Sequence, residues 1–405
     1  MPMSGILIIG ASHSGVAVAA ALRTAKCDAP ITLVTEEAVL PYHRPPLSKE
    51  ALSKDEFAPT FLRPEAFYVN NSIDLHQSVK IVGLNLEGEY AETSRGDRFH
   101  YDRLVLACGA EPRRLPISID PGEVANYLRT HEDLVVLKAK LTHARSIVIV
   151  GGGLIGMEIA AIALSKGLLV TVVEAGSRIM ERTVSKSISN YILDRYLNRG
   201  MRVLLGSGVD SIRKNNDGIA NAVILSNGEQ IQSDIVVAAI GAAPQETLAR
   251  EAGLKVDNGI LASEYGQTSH PEIYAVGDCS AWFEPQLGRH FRNEAVNPGQ
   301  DQAKIVAAAI MGAEMPPKRL PRFWSHQADI QIQMSGNVND TDMEAVLNAP
   351  ASGAFSVLGF RDGRLLAVQT INAPQQFGKL QDMIGMDRDA ISSALDVEFP
   401  PPHRH

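Results

Sequence analysis

Cysteine is scarce in this chain and never paired in a motif. Cys27, Cys108 and Cys279 are the only three in 405 residues, with no C-x-x-C and no metal-ligand spacing. That excludes a thiolate metal centre and a vicinal redox disulfide, and leaves three small buried hydrophobes. Positive charge is also in deficit: Lys and Arg number 38 against 46 Asp and Glu, a net charge of −8. Such a balance argues against nucleic acid as the main partner. No apolar run reaches the ~18 residues needed to span a bilayer, so no membrane partner is expected. The opening MPMSGILIIG has neither a basic region nor a cleavage site, which gives a cytoplasmic expectation. Composition shows no bias, with 45% apolar and 21% charged residues, as in ordinary globular proteins. A chain of this length should hold two or three domains, each burying its own core.

Glycine, by contrast, is placed in a pattern. Arg145 to Glu174 reads RSIVIVGGGLIGMEIAAIALSKGLLVTVVE. The run Ile147 to Val150 is a strand apolar enough to be buried on both faces. Gly151, Gly153 and Gly156 follow, then an Ala/Ile/Leu helix, a second strand from Val170 to Val173, and Glu174. Gly151 allows a tight turn, Gly153 lets backbone approach a pyrophosphate, and Gly156 permits close helix–strand packing. The anion would sit on the unpaired N–H groups of the helix N-terminus. Glu174, at 174 − 151 = 23 residues from the first glycine, is placed to accept from ribose hydroxyls. A 2′-phosphate would be repelled there, which favours NADH over NADPH. Arg178 is the opposing feature, since an arginine can swing towards such a phosphate.

Residues 5–36 repeat this pattern. Ile6 to Ile9 is the strand, GASHSG (Gly10 to Gly15) the loop, Val16 to Arg23 the helix and Ile31 to Val34 the next strand. Glu36 closes the unit, 36 − 10 = 26 residues after Gly10, and Ser12 replaces the middle glycine. Its hydroxyl could donate to a phosphate oxygen. Two such units imply two dinucleotides, with electron transfer between them as the reason to hold both.

Pro41 to Lys49, PYHRPPLSK, reads as a stiff extended loop that would aim Arg44 and Lys49 at a ligand. Short alternating strands from Val79 to Leu106 suggest a β-meander. Leu104 to Ala107 and the stretch DIVVAAIGAAP (Asp234 to Pro244) are echoing strand–glycine turns on either side of the 145–174 unit, so one domain is expected inside another. TSHPEIYAVGD ends a strand at Asp278, an acid suited to a ribityl hydroxyl or to a plain turn. From about Pro316 an α+β domain begins. It carries Trp324, which reads as lying beside a loop. The tail PPPHRH reads as unstructured, and His403 and His405 receive no metal role.

GASHSG, PYHRPPLSK, YLRT (Tyr127 to Thr130), VIVGGGLIGMEIA, AAIGAAPQ, KVDNGI, TSHPEIYAVGDC and FWSHQ span almost the whole chain. In that order they resemble the FAD-dependent NADH:ferredoxin reductases of oxygenase systems, the putidaredoxin reductase type. The resemblance implies an α/β fold: two Rossmann-like dinucleotide-binding domains in a glutathione-reductase-like arrangement, plus a C-terminal α+β domain. Residues 1–113 and 242–316 would bind FAD, 114–241 NAD, and 317–405 would form the interface domain. FAD contacts would fall on Gly10, Ser12, Ser14, Gly15, Glu36, Arg44, Lys49, Val79, Arg129, Asp278 and Val296. NAD contacts would fall on Gly151, Gly153, Leu154, Ile155, Gly156, Glu174 and Gly241. Lys49, Glu158 and Trp324 would carry the chemistry: Glu158 near the nicotinamide, Trp324 at the isoalloxazine edge, Lys49 favouring negative charge on the flavin. Ser12, His326 and Ala328 depart from the family pattern.

The implied reaction takes two electrons from NADH as a hydride and passes them singly, through FAD, to a [2Fe–2S] ferredoxin serving a cytochrome P450 or Rieske oxygenase. That carrier is expected to dock where the FAD and C-terminal domains meet, near the basic Lys318, Arg319 and Arg322. A monomer or weak dimer is expected. The alternatives are an NADH oxidase or monodehydroascorbate-type reductase, or a low-turnover NAD-binding redox sensor.

Overall fold

Ile6–Ile9 is buried along its whole length and forms the centre of the first sheet. The computed structural model describes residues 5–285, 288–317 and 320–399, and the chain folds into two units. The first takes the N-terminal segment to Arg44, Ala58–Glu111 and Ala242–Pro321. Its parallel sheet runs in the order Ile273–Ala275, Arg103–Leu106, Ile6–Ile9, Ile31–Val34, Ile73–His76. A strand covered on both faces needs two apolar sides, and both are present. Ile8, Val105, Val16, Leu22 and Val306 form the core under the helices His13–Thr24 and Val296–Met311. Leu7, Leu104, Ala91 and Tyr101 form the core on the other side. The meander is confined to Ile81–Asn85, Tyr90–Thr93 and Arg98–His100. Arg103–Leu106 leaves it to join the parallel sheet.

The second unit takes Pro45–Phe57, Pro112–Gly241 and the chain from Arg322 onwards. Its parallel sheet has the order Arg202–Leu204, Leu169–Val173, Ser146–Val150, Ile235–Ala238. The helix Leu154–Ser165 follows the central strand. A second, antiparallel sheet runs Arg322–Gln327, Ile330–Ser335, Arg364–Ile371, Phe355–Arg361, Met343–Leu347. The helices Pro374–Gln381 and Arg388–Leu395 contribute Phe377, Leu380 and Ile391 to the core on one of its faces.

Two local expectations are corrected. PYHRPPLSK is not extended: Pro45–Ser48 is a 3-10 turn and Glu50–Ser53 a short helix, with Lys49 between them. A proline lacks only an N–H that the first helical turn leaves unpaired, and its fixed φ suits that turn. Trp324 lies inside a strand rather than beside a loop, because RFWSHQ and IQIQMS pair as a hairpin across Ala328 and Asp329. Ala328 holds a φ of +55° there. Asp329 accepts from Arg195 at 2.7 Å and Arg199 at 2.8 Å, both on or just after the helix Lys186–Leu197. The bond from Arg199 leads in holding its carboxyl below the usual carboxylate range. Lys318, Arg319, His403 and His405 lie outside the described residues, and Arg322 is exposed at the start of its strand.

Gly156 and Gly153 bear differently on this fold. A Cβ on Gly156 would run into the carbonyl oxygen of Gly151, whereas one on Gly153 would meet nothing within 4 Å. Gly156→Ala should therefore cost about 1–3 kcal/mol, an overpacking penalty. Gly153→Ala should leave the melting temperature of the protein within ~2 °C of wild type. Thermal unfolding of both variants checks this, and equal losses would contradict it.

Candidate functional site

In the second unit, a strand, a turn and a helix N-terminus build an anion cradle. Gly151 has a φ of +104°, which only glycine adopts without strain. Gly153 caps the 12-residue helix Leu154–Ser165, whose first N–H groups have no partners within the helix. The open space beside Gly153 is space that a side chain would fill, and it fits a pyrophosphate laid against those N–H groups. Leu154 is half-buried and Ile155 exposed at the same helix start.

Glu174 follows the strand Leu169–Val173 directly. Gly152 N–H donates to its Oε2 at 2.6 Å and Gly176 N–H to its Oε1 at 2.6 Å. The carboxylate is thus fixed, and each oxygen keeps acceptor capacity for a ribose hydroxyl. Arg178 is committed elsewhere: its guanidinium donates to the carbonyls of Val184 at 2.7 Å and Glu181 at 2.8 Å. Gly241 carries two arginines that no motif marks. A Cβ on it would lie 3.1 Å from Arg182 Nη2 and 3.7 Å from Arg113 Cδ.

One helical turn beyond Leu154 sits Glu158, 3% exposed. Lys49 Nζ donates to its Oε2 at 2.9 Å, Ser48 Oγ donates to the same oxygen, and Ser325 Oγ donates to Oε1 at 2.5 Å. A buried carboxylate requires a countercharge and hydrogen bonds to offset its lost hydration, and this one has both. Lys49 and Glu158 are therefore brought together. Trp324 is 38% exposed and, by strand alternation, points to the face opposite Ser325. Arg129 lies in this unit too, where its N–H donates to Asp133.

The first unit repeats the cradle. Gly10 has a φ of +106°, and a Cβ on Gly15 would run into the Gly10 carbonyl. The middle position differs. Arg44 Nε donates to Ser12 Oγ at 3.0 Å and the guanidinium also pairs with Glu37. Ser14 packs its hydroxyl between Gly277 and Gly299, close to Asp278 and to Val296, where the helix Val296–Met311 starts. Two helix N-termini and an acid thus share one end of the sheet, an arrangement that fits the phosphates and hydroxyls of a dinucleotide.

The repeats also explain a mismatch in spacing. Gly10 N–H bonds Val34 O as Gly151 N–H bonds Val173 O, and Thr35 N–H bonds His76 O as Glu174 N–H bonds Leu204 O. Thr35 therefore occupies the position of Glu174, with Glu36 one residue beyond. Glu36 pairs with Lys80 at 2.9 Å, and Val79 N–H donates to Thr35 O. The cysteines have no partner cysteine. Burial pushes the Cys279 thiol up to about 11, which leaves it protonated and unreactive at neutral pH. Among the described residues no cluster could hold a metal ion, and no helix is long and apolar enough to cross a membrane.

Arg178, engaged with the carbonyls of Val184 and Glu181, does not offset Glu174 against a 2′-phosphate. Two unit charges at ~4 Å repel by about 4 kcal/mol at an effective dielectric near 20, so even a third of that gives a factor of ten. Wild type should prefer NADH to NADPH at least ~tenfold in kcat/KM, and Glu174→Ala should shrink that preference. Equal use of both nucleotides by the wild type would contradict this.

Residues 4–311 match the pyridine nucleotide-disulphide oxidoreductase family, and residues 322–397 match the reductase C-terminal family. The rubredoxin-NAD(+) reductase of Pseudomonas putida is 36% identical, over 93% of this chain and 97% of that protein. The ferredoxin–NAD(+) reductase component of the anthranilate 1,2-dioxygenase system of Burkholderia cepacia is 34% identical, over 95% of each. The crystal structure of the covalent putidaredoxin reductase–putidaredoxin complex superposes with a TM-score of 0.91 at 33% identity, covering 95% of both chains. The chain therefore belongs to the pyridine nucleotide-disulphide oxidoreductase family, as an FAD-dependent reductase that carries electrons from NADH to a ferredoxin-type protein.

Proposed function

We propose that the carrier is a [2Fe–2S] ferredoxin of a cytochrome P450 or Rieske oxygenase system. The observation that carries this is the full-length likeness to the putidaredoxin-bound reductase. A rubredoxin is the second reading, favoured by the 36% identity to a rubredoxin reductase. The enzyme works in the cytoplasm as a monomer or weak dimer. We assign residues 1–113 and 242–316 to FAD, 114–241 to NAD(H), and 317–405 to the interface domain.

FAD, when bound, accepts a hydride from NADH and gives up its electrons one at a time. The protein supplies position and electrostatics. Gly151, Gly153, Leu154, Ile155 and Gly156 seat the nucleotide, with Glu174 on the ribose and Gly241 beside it. Gly10, Ser12, Ser14, Gly15, Glu36, Arg44, Val79, Asp278 and Val296 seat FAD in the first unit. Arg129 and Lys49 are assigned to FAD as well. Glu158 holds the nicotinamide carboxamide through an oxygen lone pair that its three donors leave free, a role its burial and fixed geometry support. Lys49 keeps that carboxylate compensated. Trp324, part-exposed on its strand, serves the path to the carrier.

The test is steady-state NADH oxidation with panels of [2Fe–2S] ferredoxins and rubredoxins, and with oxygen alone. Ferredoxin turnover should exceed rubredoxin turnover at least ~tenfold, as matched partners do through electrostatic fit. Faster turnover with rubredoxin would favour the second reading. Comparable turnover with oxygen would make the protein an oxidase, and no turnover at all a redox sensor.

A further inference from the structure

The antiparallel sheet of the second unit reaches the helix Leu154–Ser165 through two residues that have been given no role so far. In the strand Arg322–Gln327, Ser325 and Gln327 are both fully buried and share one face. Gln327 Nε2 donates to the carbonyl of Leu154 at 3.2 Å and to Ser325 Oγ at 3.1 Å. Tyr196 O–H donates to the Gln327 carbonyl at 2.8 Å, which anchors the strand at that residue.

These bonds fix every proton in the chain. The Gln327 amide cannot be turned over, because its oxygen would then face the Leu154 carbonyl oxygen. Ser325 Oγ therefore accepts from Gln327, and its single proton is left for Glu158 Oε1. Leu154 opens the helix at the pyrophosphate cradle, and Glu158 lies four residues on along the same face. Gln327 thus grips the start of the nucleotide helix while Ser325 grips the carboxylate one turn later.

We propose that Ser325, aimed by Gln327, is a positioning residue for hydride transfer: it fixes the Glu158 carboxylate in the orientation that accepts the N–H of the nicotinamide carboxamide. This rests on the role given to Glu158 above. The bland alternative is a buried serine that satisfies a carboxylate and merely stabilises the fold.

Two reduced nucleotides separate these roles: NADH, and its 3-acetylpyridine analogue, whose acetyl group has no N–H. Flavin reduction in the holoenzyme is followed by stopped flow with each, and the ratio of the two limiting rates is compared between variants, so that their intrinsic difference cancels. Ser325→Ala should lower the NADH-to-analogue ratio at least ~fivefold, the scale of one lost hydrogen bond, and Ser325→Thr should restore it. Gln327→Met should lower the ratio less, and it decides the matter if Ser325→Ala does not fold. An unchanged ratio in these variants, with both nucleotides slowed alike, would overturn the proposal provided that Glu158→Ala does change the ratio. A Glu158→Ala enzyme with the wild-type ratio would overturn the underlying role of Glu158, and this inference with it.

Discussion

The second unit depends on one buried carboxylate. Glu158 is the one charged residue of the helix Leu154–Ser165, and an ionised group there costs several kcal/mol unless fully compensated. The compensation comes from two separate stretches of chain: the 3-10 turn with the residue after it, which deliver Ser48 and Lys49, and the strand that delivers Ser325. That requirement accounts for why Pro45–Phe57 and the C-terminal sheet belong to the same unit as the nucleotide helix. Removing one partner would leave the others buried and unpaired, which costs more than the pair itself contributes.

Two copies of one backbone device differ at the middle glycine. In both, a positive-φ glycine ends the first strand and a later glycine lets the helix close on it. At the middle position one copy has open space, and the other has Ser12 held by Arg44. An open cradle suits a nucleotide that arrives and leaves each cycle. A cradle closed over by an arginine suits a cofactor that stays.

Legibility in the sequence follows the range of the interaction. Ile6–Ile9, Ser146–Val150 and the glycines after them are local patterns, and the parallel sheets follow from them directly. Lys49 and Glu158 are legible only through the family resemblance, since nothing local joins residues 109 apart in sequence. Arg113 and Arg182 carry no pattern at all, and Ser48 sits inside PYHRPPLSK with nothing to single it out. Ser325 and Gln327 do leave a signal, because two polar residues at a spacing of two share one face of a strand. The prolines just before RFWSHQ mask it by suggesting a loop. PPLS misleads for a different reason: a proline pair suits a helical turn as well as an extended loop. The acid at residue 36 also draws attention away from Thr35, whose equivalence to Glu174 shows only in the backbone bonds.

Lys49 and Glu158 act as one unit, and a double-mutant cycle measures that coupling. Lys49→Met, Glu158→Gln and the double variant would be compared in the limiting rate of flavin reduction by NADH. Strong coupling predicts that the double variant is no slower than the slower single one, an interaction of at least ~1.5 kcal/mol. Losses that simply add, within about 0.5 kcal/mol, would contradict it.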